Sequence, residues 1–176
     1  VCLGTLDAVG SKLEQGLAEL PHLCGVIVLV SDVGTGRVRA TADGRADVTY
    51  NFDPADLVRA KAGMAVSAEV LLAAGAEEVF APVFGVGRHD NAESFSAALA
   101  DKVVSDFVMY SSHPQSTCRM GLDPATSVID PNGQAHLLPG LFIADASVCP
   151  TSIGVNPQLT TMTAGTLIAR HAIALG

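Results

Sequence analysis

Apolar residues recur at helical spacing along much of the chain. Within residues 5–20, every third or fourth position is Leu or Val, which predicts an amphipathic helix ended by Pro21. A second helix is expected after Asp53, a typical capping residue, and Pro54, which suits a first helical turn. Gly75 provides its stop. The predicted apolar face of this second helix consists of Leu57, Met64, Ala68, Leu71 and Leu72.

Two further segments have helical character. A shorter helix is predicted near residues 92–104. The last element is predicted over residues 157–174 and is apolar almost all round, so we expect it to be a buried helix.

Strand patterns lie between these helices. GVIVLVSD, residues 25–32, is rich in β-branched residues, and residues 33–52 contain two more strand-like pieces joined by glycine turns. We therefore expect an antiparallel meander from about residue 25 to 52. Short strands are also predicted at residues 78–83 and 141–144. The predicted fold class is mixed α/β, with helices and an antiparallel sheet (α+β).

Composition excludes some functions. Charged residues make up 16% of the 176 residues, hydrophobic ones 49%, and the net charge is -8. Because phosphate contacts need clustered Lys and Arg, we do not expect nucleic-acid binding. The longest apolar run, residues 26–30, is too short to cross a bilayer, and no signal-peptide pattern is visible. The first residue is Val rather than Met, so we expect a processed or truncated product.

The four cysteines do not form a metal-binding pattern. Cys2, Cys24, Cys118 and Cys149 contain no CxxC pair and no Cys/His ligand spacing, so no metal site is expected. Scattered cysteines in a chain of this size are more often buried free thiols than disulfides. This pattern favours a reducing compartment such as the cytoplasm.

Polar and conformationally special residues concentrate in two places. One is SSHPQSTCRMG, residues 111–121, and the other is IADASVCPTSIGVNPQLTT, residues 143–161. Both are predicted to be loops shaped by Pro and Gly, where functional sites are commonly built. The chain divides near residue 110, with a sheet-and-helix part before it and a loop-strand-helix part after it.

Each candidate residue in these loops has two interpretations. His113 is either a general base, since its ordinary pKa lies near neutrality, or a histidine that satisfies local hydrogen bonds. Asn156 precedes Pro157 where a helix cap belongs, so it either only caps the helix or lies beside a helix N-terminus that stabilises an anionic ligand. Asp145 and Ala146 follow a predicted strand, and they form either a ligand-contacting segment or a tight turn.

A serine hydrolase is not supported by these loops. Ser116 and Ser152 are the hydroxyls that would be considered as nucleophiles, and neither lies in a GxSxG elbow.

The two motifs together resemble a known family. HPQSTCRMG, followed by GLFIADASVCPTSIGVNPQLT and a terminal apolar helix, is similar to the C-terminal signature of the glucose-methanol-choline (GMC) flavoprotein oxidoreductases. The resemblance covers residues 110–174 strongly. Upstream, GRVRATADGRADVTYNFDPADL and LLAAGAEEV resemble the family's substrate domain more loosely. One departure is Ser116, where Gly is usual in the family.

The resemblance implies a domain organisation and a cofactor. Residues 1–110 correspond to part of a substrate-binding domain, and residues 111–176 to the returning strand and helix of an FAD-binding domain. The resemblance implies that FAD is contacted by Asp145, Ala146, Asn156, Pro157 and Gln158.

The resemblance also implies a chemistry, the oxidation of an alcohol. His113 is the implied base for the hydroxyl proton, Asn156 the implied partner that orients the oxygen, and the flavin the hydride acceptor. Members that pair His with Asn in such motifs resemble oxidoreductases of apolar alcohols, including long-chain alcohols and sterols. We therefore expect an apolar alcohol as substrate, with O2 or another electron acceptor.

The family's phosphate-binding motif is missing. A GxGxxG strand–turn–helix unit normally holds the pyrophosphate, and the pairs Gly34/Gly36 and Gly85/Gly87 do not complete it. We expect this chain to be the C-terminal part of a GMC protein that needs the N-terminal FAD-binding half. The competing hypothesis is a non-catalytic remnant or binding module that keeps part of the fold without holding FAD.

Overall fold

The computed structural model describes residues 10–175, apart from the side chains of Lys12 and Gln15. Within this range the chain forms two compact units. The first comprises residues 10–30 and 54–110, and the second comprises residues 31–53 and 111–175. The assignment of residues 1–110 and 111–176 to a substrate domain and an FAD domain stays a prediction.

The first unit is built on helices with one very short hairpin. Its elements are α1 (Ser11–Glu19), a 3-10 turn (Leu20–His22), α2 (Pro54–Ala73), β3 (Val79–Phe80), β4 (Arg88–His89), α3 (Ala92–Leu99) and a second 3-10 turn (Val104–Asp106). Strands β3 and β4 pair antiparallel. The core of this unit consists of Ala68, Val79, Val83, Val86, Phe95, Leu99 and Phe107. Each large apolar side chain buried there contributes about 1.5–3 kcal/mol to folding.

Helix α2 confirms the sequence prediction. Ala68 is buried, and the other four residues of the predicted apolar face pack against the same core. The helix ends as the glycine predicts, because Gly75 has φ +99° and its N–H donates to the Leu72 carbonyl at 3.0 Å. The N–H of Ala76 reaches back to the Leu71 carbonyl at 3.0 Å, which completes a Schellman motif.

The other two helices of this unit are shorter than predicted. Helix α1 is observed at Ser11–Glu19, and residues 5–9 of that prediction lie outside the described residues. Helix α3 is observed at Ala92–Leu99, where the Asn91 side chain caps it by accepting from the Ser94 N–H at 2.8 Å. It does not continue to residue 104, because the next residues tighten into i→i+3 hydrogen bonds and the β-branched Val103 is extended.

The second unit contains the longest strands of the described chain. Strand β1 (Thr35–Ala40) pairs antiparallel with β2 (Ala46–Asn51), in a register that places Val38 opposite Val48. Both strands are exposed along their whole length. These strands match the second and third strands of the predicted meander.

The first strand of that meander is a wrong prediction. Residues 25–32 form no ladder with any strand among the described residues. A β-branched run favours an extended backbone, but a strand also needs a neighbouring strand to pair with. Residues 25–32 have no such neighbour within the described chain. Val28 packs against α2 instead, with its Cγ1 atom only 2.5 Å from where a β-carbon on Gly63 would lie.

The rest of the second unit is loops and one long helix. Its core is Ile129, Ala135 and Val148, with Met120, Ile143 and Ala164 packed against it. The strand predicted at residues 141–144 is reduced to a single antiparallel bridge between Gln134 and Phe142. The turn at Gly140 before it and the turn that Asp145 begins after it leave no room for a longer ladder.

Helix α4 (Gln158–Leu175) is confirmed as a helix, but its expected burial is wrong. Among the described residues Ile168 is its buried side chain, whereas Leu159 and Ile173 are each 79% exposed. One stripe of the helix packs on the loop core, and other large apolar side chains of the helix, Met162 and Leu167 among them, are exposed. None of the helices within residues 10–175 is both long and apolar enough to cross a membrane. The fold is thus a mixture of helices and small antiparallel sheets, as predicted.

Candidate active site

The first candidate loop places His113 next to two unusual residues. The His113 side chain is half-buried, and its main-chain carbonyl accepts a long 3.4 Å hydrogen bond from Gln115 Nε2. Gln115 Oε1 is fully buried, and no donor within residues 10–175 reaches it. Ser116 has φ +68° and is the only non-glycine residue of the described chain in the left-handed region. The loop is therefore both strained and incompletely hydrogen-bonded.

The Ser116 conformation explains why Gly is the usual residue at this position in the family. A β-carbon makes left-handed backbone unfavourable, which is why glycine is the ordinary residue in such a position. The family's usual Gly fits φ +68° without strain, while serine adopts it at a cost.

In the second candidate loop, Asp145 caps a short turn. Its Oδ1 accepts from the Ser147 N–H at 2.8 Å, at the start of the 3-10 turn Ala146–Val148. Asp145 and Ala146 therefore form a tight turn, and their contact with a ligand stays a prediction. The Asp145 carboxylate stays exposed, Ala146 is half-buried, and Val148 is buried in the core.

The two loops lie side by side. The Cys118 N–H donates to the Ser147 carbonyl at 3.1 Å, and the Met120 N–H donates to the Val148 carbonyl at 2.9 Å. Met120 also bridges to Ile129 in the core of this unit. Main-chain bonds thus join the HPQSTCRMG loop to the IADASV loop, although they are about thirty residues apart in sequence.

The start of α4 is shifted by one residue from the prediction. The helix begins at Gln158, and the Pro157 carbonyl accepts its first hydrogen bond, from the Thr161 N–H at 2.8 Å. Pro157 is buried, while Asn156 and Gln158 are exposed. Asn156 therefore lies just before the capping position rather than in it. Within residues 10–175 its side chain makes no hydrogen bond, and it lies at the positive end of an 18-residue helix.

A residue far away in sequence supports the loop before Asn156. Ser31 Oγ donates to the Ser152 carbonyl at 3.1 Å. Gly154 has φ +69°, and a β-carbon there would lie 2.9 Å from Ser31 Cβ. Sequence analysis missed Ser31, because a contact across 121 residues has no local pattern.

His113 and Asn156 are not directly linked. Both belong to the second unit, and within residues 10–175 no hydrogen bond joins their side chains. The joint action of these two side chains on an alcohol stays a prediction.

The donors and acceptors fit a flavin better than a metal. No group of three or more His, Cys, Asp or Glu side chains in the described part of the chain is placed to hold a metal ion. For a flavin, the buried Gln115 Oε1 is an acceptor for an N–H or O–H group, and the first turn of α4 offers main-chain N–H donors. Small side chains at Ala144, Ala146 and Ser147 leave their backbone approachable.

The glycine pairs of the sequence do not build a phosphate-binding turn. Gly34 and Gly36 lie under the Tyr50 ring, so close that β-carbons there would overlap Tyr50 or the main chain of β2. Gly85 and Gly87, at φ +73° and +75°, form the turn between β3 and β4. Neither pair stands between a strand and a following helix start in the way that a dinucleotide fingerprint requires.

Comparison with known proteins identifies the family of the chain. The GMC oxidoreductase family model for the C-terminal domain matches residues 32–165. The long-chain-alcohol oxidases FAO3 and FAO4A of Arabidopsis thaliana are each 30% identical to the chain, over 87% and 97% of it. Paromamine 6'-oxidase of Streptomyces fradiae is also 30% identical, over 94% of the chain.

These matches cover only part of the relatives. The chain spans 22%, 24% and 27% of the lengths of FAO3, FAO4A and paromamine 6'-oxidase. The family model covers more than half of this chain and includes both polar loops and the start of α4. The chain belongs to the GMC oxidoreductase family.

Proposed function

We propose that this chain is the catalytic C-terminal part of an FAD-dependent oxidoreductase that acts on the CH–OH group of an alcohol. The observation that carries the proposal is the pairing of the two signature loops, through the Cys118–Ser147 and Met120–Val148 main-chain hydrogen bonds. This pairing sets the half-buried His113 in the same compact unit as the α4 N-terminus. The complete site requires the rest of the protein, because the curated relatives are about four times longer.

In this proposal His113 and Asn156 act on the alcohol. His113 takes the hydroxyl proton, since imidazole is the side chain most often used as a general base in catalysis. Asn156 orients the alcohol oxygen. The Asn156 side chain supports this role, because it is exposed just before α4 and does not accept a hydrogen bond from the described main-chain N–H groups of that helix.

The proposed cofactor residues lie in the second loop and at the start of α4. Asp145 and Ala146 would hold the ribityl and pyrophosphate side of FAD through their turn, and Pro157 and Gln158 would lie under the ring. When bound, the flavin supplies the hydride acceptor for the alcohol C–H. The N-terminus of α4 places partial positive charge where negative charge is stabilised. A GxGxxG unit from the remainder of the protein would anchor the pyrophosphate.

For the substrate we propose an alcohol with a substantial hydrocarbon portion. Long-chain-alcohol oxidases at 27–30% identity support this class. An apolar pocket gains about 0.8 kcal/mol for each CH₂ that it buries. Paromamine 6'-oxidase is also 30% identical to the chain, and its name gives a different substrate. Measured rates with a series of alcohols therefore have to distinguish the two substrate classes. The electron acceptor is O2 or another oxidant.

The decisive experiment is anaerobic flavin reduction. The complete protein, purified with FAD, is mixed with an excess of a long-chain primary alcohol without oxygen, and the visible absorption band of the oxidised flavin is followed. Bleaching of the band together with aldehyde formation supports the proposal. A protein that holds no FAD, or whose flavin no alcohol reduces, is instead the non-catalytic remnant.

A further inference from the structure

Gln115 has hydrogen-bonding capacity that the described chain does not use. Its Oε1 atom is buried, and it is the only buried side-chain nitrogen or oxygen atom within residues 10–175 that has no partner. Elsewhere in the described chain, buried polar groups are satisfied, as Asp56 is by Arg59. Burying an acceptor without a donor costs about 1–3 kcal/mol, so such an atom in a native protein calls for a specific explanation.

The position of Gln115 indicates where a donor would come from. Its other amide atom, Nε2, donates to the main-chain carbonyl of His113 at 3.4 Å, which links the Gln115 side chain to the main chain of the candidate base. The next residue, Ser116, holds the chain in a left-handed conformation. Both the strain and the unsatisfied acceptor thus fall within four residues of the loop, and this clustering is typical of a site that is completed by a ligand.

A purely structural role would explain the Nε2 atom of Gln115 but not its buried Oε1 atom. If the side chain served only to stabilise the loop, its Nε2 bond to His113 would suffice, and an apolar side chain would bury the Oε1 position at lower cost. The retained buried acceptor therefore points to a donor outside residues 10–175.

We propose that Gln115 is a ligand-binding residue of this site, whose Oε1 accepts a hydrogen bond from an O–H or N–H group of the bound flavin or of the alcohol. This inference rests on the proposed function and goes beyond it, because it adds a residue to the site and assigns the chemistry of its contact. Flavin and alcohol both offer such donors, and they are distinguished by which binding step depends on Gln115.

The test compares two variants of the complete protein. Gln115→Met removes both polar atoms at similar volume. Gln134→Met is the matched control, since Gln134 is also half-buried in the same unit, and its hydrogen bonds to Asp130 are made by its main chain. Thermal unfolding of the apoproteins confirms that each variant is folded.

Two quantities are measured for each variant. The first is the Kd of FAD, by titration of the apoprotein and flavin fluorescence. The second is the apparent Kd of a long-chain alcohol, from the dependence of the flavin reduction rate on alcohol concentration. Loss of one hydrogen bond should raise one of these constants about tenfold in Gln115→Met. Gln134→Met should change neither.

The outcomes separate the two sources of the donor. A higher Kd for FAD assigns the donor to the flavin, and a higher Kd for alcohol with unchanged FAD binding assigns it to the substrate. If folded Gln115→Met leaves both constants unchanged, the inference is overturned. If the wild-type protein itself binds no FAD, the proposed function fails instead, so the two failures are distinguishable.

Discussion

Gly133 and Ile168 lie in direct contact, and the contact leaves no room for a side chain at position 133. A β-carbon built there would be 2.5 Å from Ile168 Cγ2 and 2.6 Å from Ile168 Cγ1. Gly133 also has φ +88°, in the region that favours glycine. Ile168 is the buried residue of α4, so this contact joins the helix to the loops that carry the candidate site.

We predict that Gly133→Ala destabilises the protein by about 2–4 kcal/mol, the sum of backbone strain and an overpacked contact. Gly140→Ala is the control, because Gly140 has φ +85° but nothing within 4 Å of a β-carbon, and it should cost only about 1 kcal/mol. Urea unfolding measures both. Since Ile168→Ala removes the clashing atoms, the cost of Gly133→Ala should fall to the Gly140 value in that background. An undiminished cost would show that the contact is not responsible.

We predict that Ser116→Gly stabilises the protein. The left-handed backbone at φ +68° costs a residue with a β-carbon about 1–2 kcal/mol, while glycine loses about 0.5–1 kcal/mol of chain entropy. The net gain should therefore be about 0.5 kcal/mol or more in the free energy of unfolding. Ser111→Gly, in the same loop at an ordinary φ, should destabilise by a similar amount. Equal effects of the two substitutions would contradict this explanation.

The parts of the fold that the sequence predicted are those set by local rules. Helix α2 has a Pro start, a Gly stop and one apolar face, and each local signal agrees with the packing observed for Ala68. The left-handed position at Ser116 was signalled only by its departure from the family's Gly. Helix α4 was located nearly to the residue, with its start shifted from Pro157 to Gln158.

The sequence predictions that were wrong concern contacts between residues that are distant in sequence. Residues 25–32 have the composition of a strand, yet strand formation requires a neighbouring ladder, and Val28 packs on Gly63 instead. The exposure of Leu159 was also unpredictable, because composition cannot say which faces of a helix are covered. The contact of Ser31 with Ser152 and the unsatisfied Gln115 Oε1 became visible only in three dimensions.

For the candidate base, we predict that His113→Ala slows flavin reduction by the alcohol about a hundredfold or more, the usual scale for a lost general base. The measurement is the limiting rate of anaerobic reduction in the complete protein. Three other histidines serve as controls, namely His89, His136 and His171. If any of them replaced by Ala slows reduction more than His113→Ala does, the base is assigned wrongly.

The structure gives each control histidine a local role. The His89 ring bonds to Ser94 Oγ at 2.9 Å, the His136 ring bonds to Ser127 Oγ at 2.9 Å, and His171 stacks edge-on against Phe142. Substituting them should lower stability by about 0.5–1.5 kcal/mol, the usual value of a hydrogen bond for His89 and His136 and of an aromatic pair for His171, without changing the reduction rate.

We predict that residues 1–176 expressed alone do not bind FAD tightly. The candidate contacts in this chain come from short turns and one helix start, whereas the family's main anchor is a glycine-rich loop after a strand. The chain is purified with added FAD and passed through gel filtration, and the visible spectrum of the protein peak is recorded. A stoichiometric flavin band at that peak would refute the prediction.

The substrate class is decided by chain length. For a pocket that binds the hydrocarbon portion, each added CH₂ contributes about 0.8 kcal/mol, so kcat/KM should rise about three- to fourfold per carbon until the pocket is filled. A sugar or a quaternary ammonium alcohol offers polar groups that such a pocket cannot match, so glucose and choline should be poor substrates. The measurement is kcat/KM of the complete protein for primary alcohols of increasing length, with glucose, choline and paromamine as comparisons. Because paromamine 6'-oxidase shares 30% identity with the chain, a preference for paromamine is the sharpest competing result. A kcat/KM that does not change with chain length, or that is highest for any of the three polar compounds, would exclude the long-chain-alcohol assignment. The roles of His113 and Asn156 would then still be tested by the same kinetic measurements.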